Sequence, residues 1–243
     1  MKLRDKIQKE VRKVKSNGKT AIGMSPSFKS SRMVSYESSL ENDFIAMAEF
    51  DPFVAKYGAQ PVRINYKDDQ GKNRFYTPDF LVYHKRECAR KFPPTLVEVK
   101  YRSDIKKNWT DLKPKFKAAI NYAASKKWKF KIMTEVEIRT EYMNNVKFLL
   151  PYRSKKVKIE LIRNTIMALK YMEDCTPSEL VVVAAKEKEK RLEIVNAIWH
   201  LISLGKIGFD HFAKLQMESN IWYKTDKTSA ITKPFLYAKA GAR

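Results

Sequence analysis

The residues of this chain best suited to do chemistry lie within 77–101, which reads Thr-Pro-Asp-Phe-Leu-Val-Tyr, then eleven mostly polar residues, then Thr-Leu-Val-Glu-Val-Lys-Tyr. Asp79, Glu98 and Lys100 bring two carboxylates and an ammonium. Hard carboxylate oxygens make a partial shell for Mg²⁺, which keeps several waters and takes phosphate oxygens as its remaining ligands. A lysine beside such a shell can orient or deprotonate an attacking water and offset charge developing on phosphate. The chemistry would be hydrolysis of a phosphodiester. An Asp followed within about twenty residues by Glu-x-Lys also occurs by chance in charged chains, so this spacing alone does not decide the matter.

Two strands must carry these groups. Val, Leu, Phe and Tyr dominate both runs, and Pro78 stands at the mouth of the first, where a missing N–H costs the ladder little. In the second run a period of two sends Leu96, Glu98 and Lys100 to one face and Val97, Val99 and Tyr101 to the other. If the strands pair as a meander, Asp79 meets Glu98 and Lys100. Ahead of them, Ser38 or Ser39 caps a helix that runs to Phe50 and is stopped by Pro52, with Leu40, Phe44, Ile45, Met47 and Ala48 as its apolar stripe. Glu41 lies on that helix beside Phe44 and Ile45, which places its carboxylate toward the buried side. Taken by itself, a glutamate in a first helical turn is better explained by its favourable place in the helix dipole.

Residues 62–67 alternate like a strand, 68–71 read as a hairpin turn, and 74–76 continue it. Trp109, Leu112, Phe116, Ala119, Ile120 and Ala123 recur at helical spacing over 107–126, a strand follows at 130–133, and a helix at 139–150. The expected class is α/β: a mixed sheet flanked by helices over 36–150.

The chain has 243 residues, 44% of them apolar, enough for one large domain or a medium one with a small companion. Its formal charge of +22 exceeds what solubility needs and points to a polyanion. Residues 1–35 are expected to form a basic arm, with a helix over 2–15 that either lies along a DNA backbone or presents an ordinary solvated face. Cys88 and Cys175 lack metal-ligand spacing, and His84, His200 and His211 fit no histidine metal motif. With no apolar run long enough for a membrane span and no secretory core, the expectation is a cytoplasmic protein, nucleoid-associated when engaged, and no membrane partner.

After Pro151 the texture turns helical. A helix over 157–172, a capped start at Thr176-Pro177-Ser178-Glu179, a longer helix over 187–204 closed by Gly205, and a hairpin of 207–209 with 221–223 suggest a winged-helix-like interaction domain over 151–224. Such a domain reads DNA through its last helix or docks protein. Residues 225–243 read as a tail whose apolar patch, Phe235, Leu236 and Tyr237, would order on a partner.

The helix acid, Thr77-Pro78-Asp79-Phe80-Leu81-Val82, Val97-Glu98-Val99-Lys100 and the helix and strand after them resemble the restriction-endonuclease-like, or PD-(D/E)xK, nucleases, and more specifically TnsA, the endonuclease subunit of heteromeric transposases. Ser39-Leu40-Glu41 and Gln60-Pro61 belong to the same pattern. The resemblance implies that Glu41, Asp79, Glu98 and Lys100 are catalytic, that Glu41, Asp79, Glu98 and the Val99 carbonyl hold Mg²⁺ with Mn²⁺ able to substitute, and that Gln60 lies near the site. It further implies cleavage at the 5′ ends of a mobile element in double-stranded DNA. The implied partners are a TnsB-type DDE transposase and a TnsC-type AAA+ ATPase. Two rivals are a restriction or junction-resolving nuclease of the same fold and a non-catalytic architectural DNA-binding subunit. An inert subunit would have no need of all four residues.

Overall fold

A computed structural model describes residues 22–30, 33–185, 187–224 and 234–237; the helix expected over 2–15 lies outside them. The chain divides into two compact units, Met1–Ile138 with Pro234–Arg243, and Arg139–Lys233.

In the first unit, β1 (Gly23–Ser25) and β2 (Val34–Tyr36) pair antiparallel. Helix α1 (Ser39–Phe50) starts where expected, with Ser38 Oγ accepting the Glu41 N–H at 3.1 Å. Its expected stripe, Leu40, Phe44, Ile45, Met47 and Ala48, is buried throughout. Extended backbone at Asp51, the residue before Pro52, ends it.

The main sheet has the order β3-β6-β7-β8, formed by β3 (Val54–Ala59), β6 (Phe80–His84), β7 (Thr95–Val99) and β8 (Lys129–Met133). The first three run antiparallel and β8 joins parallel to β7. That parallel return needs a crossover, supplied by α2 (Arg102–Lys107) and α3 (Trp109–Ser125). The meander expected for the two chemistry-bearing strands is present, with Phe80 opposite Val97.

Three expectations need correction. The run 62–76 is not part of the main sheet: β4 (Ile64–Lys67) and β5 (Asn73–Tyr76) pair only with each other. The sheet edge is instead β3, whose Val-Ala-Lys-Tyr-Gly-Ala sequence lacks the alternation that marks a strand. On α3, Leu112, Phe116, Ala119 and Ala123 are buried, whereas Trp109 and Ile120 are about half exposed. At 100° per residue these two sit some 60–80° around from Leu112, at the margin of the stripe.

The third correction concerns the C-terminal end. Pro234 to Tyr237, the last three forming a 3₁₀ turn, pack onto the first unit, with Phe235 and Leu236 buried. The Phe235 N–H donates to Asp51 Oδ2 at 2.7 Å, Lys131 Nζ reaches the Leu236 carbonyl, and the Phe235 ring meets Phe44 edge-on at 5.5 Å. The apolar patch expected to await a partner is therefore part of the core that supports α1. A short helix, α4 (Glu135–Ile138), ends this unit's continuous chain.

The second unit begins with α5 (Glu141–Arg153), so the boundary expected after residue 150 falls within that helix. Then come α6 (Ile159–Met172), β9 (Asp174–Cys175), α7 (Pro177–Ala184), α8 (Arg191–Ser203), β10 (Ile207–Phe209) and β11 (Ile221–Tyr223). Thr176 and Glu179 form the expected capping box, and Gly205 closes α8 with φ of +69°. Strand β11 lies between β10 and β9, so three helices and a three-stranded sheet give the winged-helix arrangement. Helix α8, however, is exposed only over its first turn, Arg191 to Glu193. Helix α5 covers it from outside: Phe148 packs on Trp199 at 5.2 Å and His200 Nδ1 lies 2.8 Å from the Tyr152 carbonyl.

Two stability effects follow. Phe235→Ala removes a buried ring from the support of α1 and is expected to lower stability by about 3 kcal/mol; urea denaturation of the full chain checks this, with Tyr171→Ala, at an exposed ring, leaving the midpoint unchanged. In the second unit, burial, aided by Lys224, pushes His211 down to about 4, its ring packed against Phe209 and Tyr142. The unfolded chain therefore binds a proton first as pH falls below about 6.5. Stability is full above that value and is lost down to about pH 4, by about 3 kcal/mol in all. Thermal midpoints between pH 7 and 4 are expected to fall less steeply for His211→Leu.

Candidate active site

Asp79 is the last residue before β6, and its carboxylate turns toward the end of β7, where Oδ2 accepts the Val99 N–H at 2.7 Å. The Gln60 N–H, in turn, donates to the Asp79 carbonyl at 2.7 Å. Asp79 is thus fixed through both side chain and backbone, by the residues that close β7 and follow β3. Gln60 holds φ at +45°, an uncommon conformation for a residue with a side chain, and its Nε2 donates to Glu37 Oε1 at 3.0 Å.

Glu98 lies in the central strand β7 and is only 3% exposed. Both of its oxygens are engaged: Oε1 stands 3.3 Å from Lys100 Nζ, and Oε2 accepts the Tyr76 hydroxyl at 2.5 Å. The contact of Glu98 with Lys100 agrees with the same-face placement that strand alternation predicts. Glu41 is turned back onto the start of its own helix, with Oε2 accepting the Glu37 N–H at 2.8 Å and Oε1 the Ser38 hydroxyl at 3.0 Å. Both readings of Glu41 therefore describe part of its setting, since it caps the helix and also stands within electrostatic reach of Asp79 and Lys100.

Asp79 is repelled by both other carboxylates. Burial raises Asp79 well above the usual aspartate range, and the charges of Glu98 and Glu41 add to it, against Lys100 and the Val99 N–H. Burial likewise raises Glu41, against its bonds to Glu37 and Ser38. For Lys100, burial alone would weaken the ammonium, but Glu98 and Asp79 outweigh it and hold the group above its ordinary value. Lys100 is therefore a fixed positive charge here, suited to offsetting negative charge on a substrate.

Among the described residues no group of three or more His, Cys, Asp or Glu side chains stands in position to hold a metal ion. The donor set nevertheless suits a hard divalent cation. Asp79 stands against the like charges of Glu98 and Glu41, and the side-chain donors of all three are oxygen.

The sequence-predicted Asp79, Glu98 and Lys100 are thus brought together, with Glu41 beside them and Gln60 bonded to Asp79 through its backbone. Val99 takes part through its N–H. Tyr76 and Glu37 were missed. Tyr76 closes an alternating run three residues before Asp79, but nothing local says that its hydroxyl reaches Glu98.

A four-stranded mixed sheet crossed by α3 and backed by α1, with acids at the start of β6 and the end of β7, defines a restriction-endonuclease-like fold. Within that class, residues 51–135 match the family model of the TnsA-like endonuclease N-terminal domain. That stretch of the chain is therefore similar to a TnsA-like endonuclease N-terminal domain. The matched stretch includes Asp79, Glu98 and Lys100, while Glu41 precedes it. A search of curated proteins finds no match.

Asp79→Asn keeps an oxygen for the Val99 N–H and removes a charge that Glu98 and Glu41 oppose. The thermal midpoint of the chain in chelator is expected to rise by about 2–4 °C, the shift that about 1 kcal/mol gives in a protein of this size, measured by scanning calorimetry.

Proposed function

We propose that this protein is a metal-dependent DNA endonuclease, the TnsA-type subunit of a heteromeric transposase, cutting the 5′ ends of a mobile element. The observation that carries the reading is the meeting of Asp79, Glu98 and Lys100 at the Val99 end of β7, within the stretch that matches the TnsA-like endonuclease domain.

In this reading Asp79, Glu98 and the Val99 carbonyl would hold Mg²⁺ or Mn²⁺, with Glu41 as a further oxygen donor. A cation held there would supply Lewis-acid polarisation of a phosphoryl oxygen and a more acidic water. The Val99 N–H keeps the Asp79 carboxylate aimed at the site. Lys100, held as an ammonium by Glu98 and Asp79, offsets the negative charge that develops on the phosphate oxygens. The Gln60 backbone ties β3 to Asp79 and fixes the strand end from which it projects.

The +22 charge suits a double-stranded DNA substrate. Among the described residues no helix is long and apolar enough to cross a membrane. A TnsB-type DDE transposase and a TnsC-type AAA+ ATPase are the partners this reading assigns. The covered α8 favours the second unit as a surface for protein over one that reads a major groove.

Asp79→Ala or Lys100→Ala is expected to lower strand cleavage by about a thousandfold or more while leaving duplex binding in a gel-shift assay within about twofold. Undiminished cleavage by the Asp79 variant, in the presence of the transposase and ATPase, would sink the assignment.

A further inference from the structure

We infer that Tyr76 is a positioning residue for Glu98, setting the orientation in which that carboxylate meets a divalent cation. The inference rests on the reading of Glu98 as part of the cation site and adds a group that neither the sequence pattern nor the acidic cluster contains.

The hydroxyl of Tyr76 donates to Glu98 Oε2 at 2.5 Å across a buried contact, while Lys100 stands 3.3 Å from the other oxygen. A strand fixes the Cα and Cβ of Glu98 but leaves three side-chain torsions, so the carboxylate plane is set only by what grips its oxygens. Lys100 is a poor grip on its own, because an ammonium on a flexible stem bonds over a wide range of angles. A phenol is different. Its ring is rigid, and here it is clamped in a small apolar cluster with Ile64, Leu81, Leu96, Ala119 and Ala123. The hydroxyl therefore has one place to point.

The ring is further fixed from its backbone. Tyr76 is the last residue of β5 and is paired with Ile64 in β4. Three residues later the same segment delivers Asp79, so one short piece of chain sets one carboxylate directly and a second through a hydroxyl. Each carboxylate oxygen has two lone pairs, so a donor on Oε2 leaves capacity for a cation. Donors of this kind typically change metal affinity by 10–100-fold when removed.

The test measures Mn²⁺ binding to the full chain by electron paramagnetic resonance, with no substrate and no turnover, beside the thermal midpoint in chelator. Tyr76→Phe is expected to weaken Mn²⁺ about tenfold or more while moving the midpoint little. Glu98→Gln should abolish tight binding, and Tyr76→Phe added to it should change nothing further. Ile64→Val loosens the same apolar cluster without touching the hydroxyl, and is expected to lower the midpoint and leave Mn²⁺ affinity alone. Wild-type affinity in Tyr76→Phe, with Glu98→Gln impaired, overturns the positioning role and leaves the cation site standing. A loss in Ile64→Val equal to that in Tyr76→Phe also overturns it, since packing would then be the cause. Undiminished Mn²⁺ binding by Glu98→Gln, or none by the wild type, overturns the cation site itself and this inference with it.

Discussion

The bond from the Val99 N–H to Asp79 Oδ2 is the constraint on which the first unit's site depends. It spans the gap where β6 begins and β7 ends, and it holds a carboxylate that Glu98 and Glu41 push away. Without it, burial and like charge would favour either a protonated side chain or one swung toward water. The neighbours on either side reinforce the same point. Gln60 grips the Asp79 backbone, and the Lys100 N–H continues the parallel ladder to the Met133 carbonyl at 3.0 Å. Setting like charges together at the site costs folding free energy, and the buried apolar residues of β7, Leu96, Val97 and Val99, offset it.

Glu41 shows how one side chain can serve two demands. Its hydrogen bonds to the Glu37 N–H and the Ser38 hydroxyl fix the turn that leads into α1. The same carboxylate lies close enough to Asp79 to raise it. The four described residues Pro234 to Tyr237 bear on this helix from behind, through Phe44 and the bond to Asp51. The last described part of the chain is therefore a component of the first unit's core, supporting the helix that carries Glu41.

The second unit has the strand order of a winged helix yet hides the helix that such domains commonly present to DNA. Burial of α8 follows largely from its composition: Ile194, Ala197, Ile198, Trp199, Leu201 and Ile202 are buried along most of its length, while the polar Asn196 and His200 meet the Lys155 ammonium and the Tyr152 carbonyl. So many buried apolar positions need cover from several neighbours, and α5 packs on α8 together with α6 and α7.

The sequence by itself determined the chemistry available and the local frames that carry it. Acid, acid and lysine types, the Ser38 cap, the alternation through 95–101, the capping box at Thr176 and the wing hairpin all rest on rules that act within a few residues. Those rules do not reach across the chain. The β3 edge was invisible because a strand's identity there comes from its partner β6, and the separation of the 64–76 hairpin from the main sheet is a choice between possible partners that periodicity cannot express. Trp109 and Ile120 were read into a stripe whose exact centre only the sheet beneath α3 decides. Likewise, the Tyr76 hydroxyl on Glu98 spans 22 residues and the Phe235 N–H on Asp51 spans 184. Contacts of that separation exist only once burial has brought the surfaces together, which is why tertiary structure, and not local pattern, decided how the site's side chains are held.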